Sequence, residues 1–228
     1  MRLEKFLVIC GIATGKVIKK IIKDGEITVN GIVQCDCSTQ VEPSEDIIFY
    51  LGKEIKPKTL RYYLLNKPAG YLTAVSNPIN SKPIVMDLIP ESINKQGLAP
   101  IGRLDKDTEG VLILTNDGNL NYLMTYPDKV IDKEYYVELD RDISFEDVKI
   151  LECGIIIDDY LCKPAKVEIL TNKSINLTIT EGKYHQVKKM MKSIKNKVVY
   201  LKRVRMGKLT LQDLKIGEIK EITLDQII

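Results

Sequence analysis

Apolar residues at Leu3, Phe6 and Leu7 recur at the spacing of one helix face, and Gly11 interrupts the pattern. A second helix is predicted over Lys16–Lys23. It buries Val17, Ile18, Ile21 and Ile22 and turns Lys16, Lys19, Lys20 and Lys23 outward. Gly25 stands where a helix commonly ends on a residue that accepts positive φ. Ile27-Thr-Val29 and Ile32-Val33 flank Asn30-Gly31, a strong signal for a two-residue hairpin turn. A short strand follows over Ile47–Leu51, and Lys53-Glu-Ile-Lys-Pro-Lys58 reads as a polar linker. The first 58 residues therefore read as one unit and residues 59–228 as another.

In the second unit, short strands and helices alternate without a strict βαβ rhythm. Arg61–Leu65 is a strand that stops at Asn66-Lys-Pro-Ala-Gly70, and the continuous apolar run Val111–Thr115 is a central strand. Asn116-Asp-Gly118 turns the chain into a helix over Leu120–Tyr126. Lys133–Leu139 alternates as a strand, and Ser144 caps a helix ending near Cys153-Gly154. Strands over Lys166–Leu170 and Ile175–Thr180 lead to a helix at Tyr184–Ile194. In that helix Val187, Met190, Met191 and Ile194 share the core face. Strands near Val198–Arg205 and Lys208–Leu211 close the chain. Runs of strands with few helices imply an α+β fold around a mixed or antiparallel sheet.

Composition narrows the picture. A hydrophobic fraction of 44% and a charged fraction of 29% suit an ordinary globular protein. No run approaches the ~18 apolar residues needed to span a bilayer. The opening segment is a poor leader, because Glu4 and Lys5 interrupt its short apolar stretch, so a cytoplasmic site of action is expected. Five irregularly spaced cysteines argue against a disulfide framework. Cys10, Cys153 and Cys162 read as small core residues, and Cys35 and Cys37 lack a second pair at metal-site spacing. The net charge of +3 conceals an asymmetry: Glu181–Lys208 holds ten lysines and arginines against the single acid Glu181. A basic block on a nearly neutral chain suggests a polyanion, although a solvated lysine-rich helix would look the same.

The chain has no phosphate-binding glycine loop, and His185 is its one histidine, so metal hydrolysis and Ser-His-Asp chemistry are disfavoured. Any catalysis must fall to carboxylates, tyrosines or lysines. The densest polar cluster before a buried strand is Gly102-Arg-Leu-Asp-Lys-Asp-Thr-Glu-Gly110. Taken alone it is a loop in which Asp105 and Asp107 serve turns and Glu109 is solvated.

Three motifs, taken as whole strings, alter that reading. The segment Gly102-Arg-Leu-Asp-Lys-Asp-Thr-Glu-Gly-Val-Leu-Ile-Leu-Thr-Asn-Asp-Gly118 closely resembles the catalytic motif of RsuA-type pseudouridine synthases, with Asp105 at the family's aspartate position. Lys133-Glu-Tyr-Tyr-Val137 resembles the motif whose tyrosine stacks on the target uracil, here Tyr135; Tyr136 would point to the opposite sheet face. Glu181-Gly-Lys-Tyr-His-Gln-Val-Lys-Lys-Met190 resembles the motif whose basic residue pairs with the aspartate, which gives Lys188. Many relatives of the wider class carry Arg there, so a bidentate pairing geometry does not transfer. The resemblance continues to Val204-Arg-Met-Gly207. Residues 1–58 resemble the S4 RNA-binding domain through Arg2-Leu-Glu-Lys-Phe-Leu7, Lys20-Ile-Ile-Lys-Asp-Gly25 and Thr28-Val-Asn-Gly31.

The resemblance implies isomerisation of uridine to pseudouridine, which changes neither composition nor oxidation state and therefore needs no cofactor or metal. Asp105 would act as nucleophile, Lys188 would keep it ionised and Tyr135 would receive a base flipped from its stack. RNA contacts are expected from Lys16, Lys19, Lys20, Lys23, Arg103, Lys189 and Lys192, and Arg103 could wedge the base outward. His185 is expected to hydrogen-bond structurally rather than to transfer protons. Tyr184-His185-Gln186 in the third motif resembles the RsuA-type enzymes that act on small-subunit RNA, which implies 16S ribosomal RNA, free or in a pre-ribosomal particle, as the partner. A monomer is the default expectation, and no membrane partner is expected. A 23S rRNA substrate is the alternative, as is a non-catalytic RNA-binding assembly factor.

Overall fold

A computed structural model describes residues 1–13, 15–57, 59–77, 82–126 and 129–228. The chain divides into two compact units, Met1–Thr59 and Leu60–Ile228.

In the first unit, α1 (Leu3–Ile9) and α2 (Gly15–Lys23) precede β1 (Ile27–Val29), β2 (Ile32–Gln34), β3 (Ile48–Tyr50) and β4 (Lys53–Ile55). The strands form one antiparallel sheet in the order β2-β1-β3-β4. Leu3, Phe6, Leu7, Ile18, Ile21, Ile22, Ile27 and Ile48 make its core. Two expectations need correction here. Val17 is 57% exposed, because at ~100° per residue it lies about a quarter-turn from the stripe of Ile18, Ile21 and Ile22. The linker expected from Lys53 is instead β4, paired to β3 at Tyr50↔Lys53. Leu51 and Gly52 both take positive φ, which is the requirement of a tight two-residue hairpin, and leucine is an unusual residue to do so.

The second unit opens with β5 (Tyr62–Lys67), a 3-10 turn at Val85–Leu88, β6 (Ala99–Pro100) and β7 (Glu109–Thr115). Then come α3 (Gly118–Thr125), β8 (Lys133–Leu139), α4 (Phe145–Cys153), the small hairpin β9 (Ile156–Ile157) and β10 (Tyr160–Leu161), β11 (Lys166–Thr171) and β12 (Ser174–Ile179). The chain ends with α5 (Gln186–Ser193), β13 (Val198–Met206), β14 (Leu209–Thr210), β15 (Ile219–Ile222) and α6 (Leu224–Ile227).

The main sheet runs β11-β12-β8-β13-β7-β5-β15, with β6 and β14 pairing at its sides. Every pairing is antiparallel except β13 with β7, so the fold is α+β with a mixed sheet. β7 is buried on both faces, as its unbroken Val111–Thr115 run requires. One face packs on α5 and on Val137, Leu177 and Leu201; the other packs Ile113, Leu64 and Leu120. Ser144 caps α4 in a reciprocal box with Asp147.

β15 and α6 lie beyond the last elements read from the pattern, because Ile219-Lys-Glu-Ile222 offers too short an alternation to distinguish it from a loop. Cys10 and Cys162 are buried, whereas Cys153 is exposed. It stands about 200° around α4 from the buried Leu151.

Candidate active site

The parallel join of β7 and β13 at the sheet's centre positions the site. At Gly110 the two strands approach so closely that an added Cβ would lie 2.1 Å from the Arg203 carbonyl oxygen. Only glycine admits this contact, and φ is +105° there as well. The chain entering β7 is thereby fixed, and the preceding loop, Gly102–Thr108, rises beside β13.

That loop is tied down through its backbone. The Thr73 hydroxyl donates to the Leu104 carbonyl at 2.8 Å and accepts the Leu104 amide at 3.2 Å. The Lys67 ammonium donates to the carbonyls of Thr108 at 2.8 Å, Pro68 at 3.0 Å and Lys106 at 3.2 Å. The Gly70 amide also donates to Lys106 O, and the Thr108 amide closes a turn on Asp105 O. Lys67 is fully buried, and burial pushes its pKa down to about 8 even though the charges of Asp107, Glu109 and Asp105 favour the ammonium. The loop is thus held by a buried cation that reaches three of its own neighbourhood's carbonyls.

Asp105, with a quarter of its side chain exposed, lies 3.1 Å from Lys188 Nζ and 3.5 Å from His185 Nε2. Lys188 stands in the first turn of α5 and reaches Asp107 Oδ1 at 2.5 Å as well. Burial tends to lower the Lys188 pKa, but its hydrogen bonds to Asp107 and Asp105 outweigh that and leave it raised. Asp107 is the mirror case: burial raises its pKa, while the Lys188 hydrogen bond and charge bring it below the usual carboxylate value. The ammonium is therefore held charged beside Asp105.

Tyr135 and Tyr136 separate as strand geometry demands. Tyr135 is 8% exposed and shares a row of the cleft-facing sheet surface with its register partners Leu177 and Arg203. Tyr136 sits on the other face, where its hydroxyl donates to Glu138. A cleft of about 700 Å³ brings Asp105, Tyr135, His185, Lys188 and Arg203 into one lining, and Arg103 lies exposed on it. The volume suits a nucleotide-sized guest.

Other expected residues fall elsewhere. Lys16, Lys19, Lys20 and Lys23 are exposed on α2, and Lys192 is exposed on α5. Lys189 is half-buried and pairs with Asp158. Glu109, read as solvated, accepts a 2.5 Å hydrogen bond from the Tyr200 hydroxyl. Glu109 is a strand residue facing Tyr200 of β13, which explains the difference. The helix expected from Tyr184 begins at Gln186, because His185 is left-handed with φ +53°.

Three residues around the site escaped the sequence reading. Lys67 ended an apolar strand and looked like turn punctuation; a lysine continuing a fully buried run was the available signal. Thr73 carried none. Arg203, 2% exposed, is one of the basic block expected to meet a polyanion, yet it is buried in the cleft lining and donates from Nε to the Val111 carbonyl at 2.8 Å.

A cleft that brings an aromatic ring and a carboxylate–ammonium pair together at the centre of a mixed sheet offers a flat face for a planar ring and a charged oxygen to act on it. Comparison with known proteins agrees. The family model of RNA pseudouridylate synthases matches residues 61–193. The chain is 42% identical to the RNA pseudouridine synthase YtzG of Bacillus subtilis, over 100% of this chain and 97% of that protein. It is 33% identical to ribosomal small subunit pseudouridine synthase A of Vibrio cholerae, over 100% and 98%. A crystal structure of a pseudouridylate synthase superposes with a TM-score of 0.71 at 31% identity, covering 100% and 98% of the two chains. The protein is an isomerase of RNA: it belongs to the RNA pseudouridine synthase family.

Proposed function

We propose that this chain converts a specific uridine of 16S ribosomal RNA to pseudouridine, with Asp105 as the nucleophile. The observation that carries the reading is the 3.1 Å ion pair between Asp105 and Lys188 in a cleft lined by Tyr135. The Lys188 ammonium, 3.1 Å away, stabilises the negative charge of the carboxylate by direct attraction. Asp105 forms a transient covalent bond to the sugar or the base while the sugar–N1 bond breaks. The base is re-presented through C5, the carboxylate leaves, C5 loses its proton and N1 gains one. Tyr135 offers its ring to the base, and its hydroxyl stands near the base edge where the C5 proton departs.

The target must first leave its stack, at a cost of about a few kcal/mol. Arg103 at the cleft assists as wedge or phosphate contact. Residues 1–58 act as an S4-like RNA grip through Lys16, Lys19, Lys20 and Lys23, with Lys189 and Lys192 adding phosphate contacts. The small-subunit assignment draws on Tyr184-His185-Gln186 and on the Vibrio cholerae relative's name. The enzyme acts as a cytoplasmic monomer on free rRNA or a pre-ribosomal particle.

The test is incubation with unmodified 16S and 23S rRNA, followed by chemical mapping of pseudouridine. A single new site in 16S rRNA is expected. Product confined to 23S rRNA reverses the substrate assignment. Asp105→Asn should abolish product while retaining RNA binding, and turnover at the wild-type rate in that variant would remove the nucleophile's role. RNA binding without pseudouridine in either RNA favours a non-catalytic assembly factor.

A further inference from the structure

The loop between β12 and α5 is built more firmly than its exposure suggests. Glu181 accepts hydrogen bonds from the Gln186 side-chain amide at 2.7 Å, the Tyr160 hydroxyl at 2.9 Å and the Lys163 amide at 3.0 Å. Gln186, itself buried, returns its carbonyl oxygen to the Lys183 amide at 2.9 Å. The clasp from 181 to 186 therefore holds Tyr184 and His185 at its tip.

In extended chain, consecutive side chains point to opposite sides, so neighbouring rings cannot stack. Here the left-handed backbone of His185 folds them together: the Tyr184 and His185 rings are parallel within 19°, with centroids 3.9 Å apart. His185 backs Tyr184 on one side and reaches Asp105 on the other, 3.5 Å away. The Tyr184 ring contributes nothing to the core, since it is 74% exposed and lines the cleft. Lys189 Nζ lies over the Tyr184 ring, 4.9 Å from its centroid, and Lys183 Nζ lies over the Tyr160 ring, 3.9 Å from its centroid.

We propose that Tyr184, backed by His185, is a stacking subsite for the nucleobase adjoining the target uridine in the RNA chain. An exposed ring on a hydrogen-bonded loop, with an ammonium group close to it, is a combination by which proteins hold unpaired nucleotides. The target itself belongs deeper, at the buried Tyr135, and one ring cannot serve both. The subsite rests on the reading of the cleft as the place that receives the flipped uridine. It makes the enzyme sensitive to the strength of stacking of the neighbouring base, and it gives the first residue of the Tyr184-His185-Gln186 string a physical task.

The experiment compares wild type, Tyr184→Ala and Tyr184→Phe on unmodified 16S and 23S rRNA transcripts. RNA affinity is measured by filter binding, and kcat and KM separately. Tyr184→Ala should weaken affinity and raise KM about tenfold with kcat within twofold of wild type, whereas Tyr184→Phe should match wild type. Unchanged affinity and KM in Tyr184→Ala overturn the subsite, as does a loss confined to kcat, which would make the ring a support for His185. A second readout needs no variant: ultraviolet crosslinking of the wild-type complex should join Tyr184 to the nucleotide next to the modified position, and crosslinks found only elsewhere count against it. Affinity and crosslinking do not depend on turnover. A wild-type protein inactive on both RNAs would retire the substrate assignment and leave the subsite to be decided by the affinity of Tyr184→Ala against wild type.

Discussion

The α2 helix and the Glu181–Lys208 segment carry the same residue types and use them differently. On α2, Lys16, Lys19, Lys20 and Lys23 stand exposed opposite a stripe of buried isoleucines, and among the described residues none of them is in a salt bridge. In Glu181–Lys208 many of the cations are already committed. Lys188 serves Asp105 and Asp107, Lys189 serves Asp158, Arg205 serves Asp132 and Glu134, and Arg203 is buried at the cleft. Net charge is therefore a poor guide to which of the two tracks phosphate. A free ammonium adds counterion-release affinity for any RNA, while one held against a carboxylate has first to loosen that pair.

The contrast can be broken most sharply at Lys188. Lys188→Met should slow single-turnover pseudouridine formation about a hundredfold, equivalent to about 2.7 kcal/mol, with RNA affinity nearly unchanged. Equal loss of affinity would place Lys188 with the phosphate-binding cations instead.

Lys67 offers the next largest effect, this time on stability. Lys67→Met removes the donor from the Lys106 and Thr108 carbonyls of the catalytic loop and from that of Pro68, and should cost about 2 kcal/mol in urea unfolding of the protein. It should also change the pH dependence. The folded-state pKa near 8 lies below the ordinary lysine value of 10.5, so between those limits the unfolded chain binds more protons. The wild-type contribution from this group therefore rises with pH across that window, and the variant should lose that slope. A Lys67→Met protein with wild-type stability at pH 7 and an unaltered slope would show the loop to be held by other contacts.

The smallest effect is expected where charge is least committed. Replacing Lys16, Lys19, Lys20 and Lys23 together by Gln should weaken RNA binding several-fold in low salt. The salt slope should fall by about 0.7 to 0.9 for each phosphate contact removed. Turnover at saturating RNA should stay within twofold, and an unchanged salt slope would remove α2 from the RNA-binding surface.

Where one physical rule dominates, the chain was readable in advance. β8 and α4 lie where alternation and the Ser144 cap put them, and the central strand lies on the continuous apolar run Val111–Thr115. β4 was missed because its hairpin turn is made by Leu51, a residue that seldom takes positive φ. The last strand and helix were missed because their few apolar residues gain burial only from partners distant in sequence, such as β5. The motif strings singled out Asp105, Tyr135 and Lys188, and the fold gathers these into one cleft. The support beneath them was illegible. Nothing local tells that Lys67 turns inward to reach carbonyls on either side of residue 107, or that the Thr73 hydroxyl clasps both backbone groups of Leu104.

The missing side chain at Gly110 has a wider reach than its size implies. A single methyl there would wedge apart the one pair of neighbouring strands in the main sheet that is parallel, among the described residues, and so separate the loop carrying the carboxylate from the strand carrying Arg203. Position 110 touches no RNA in any reading of the cleft. Yet it should tolerate substitution no better than the nucleophile does, and a screen for lost activity would report both with equal force.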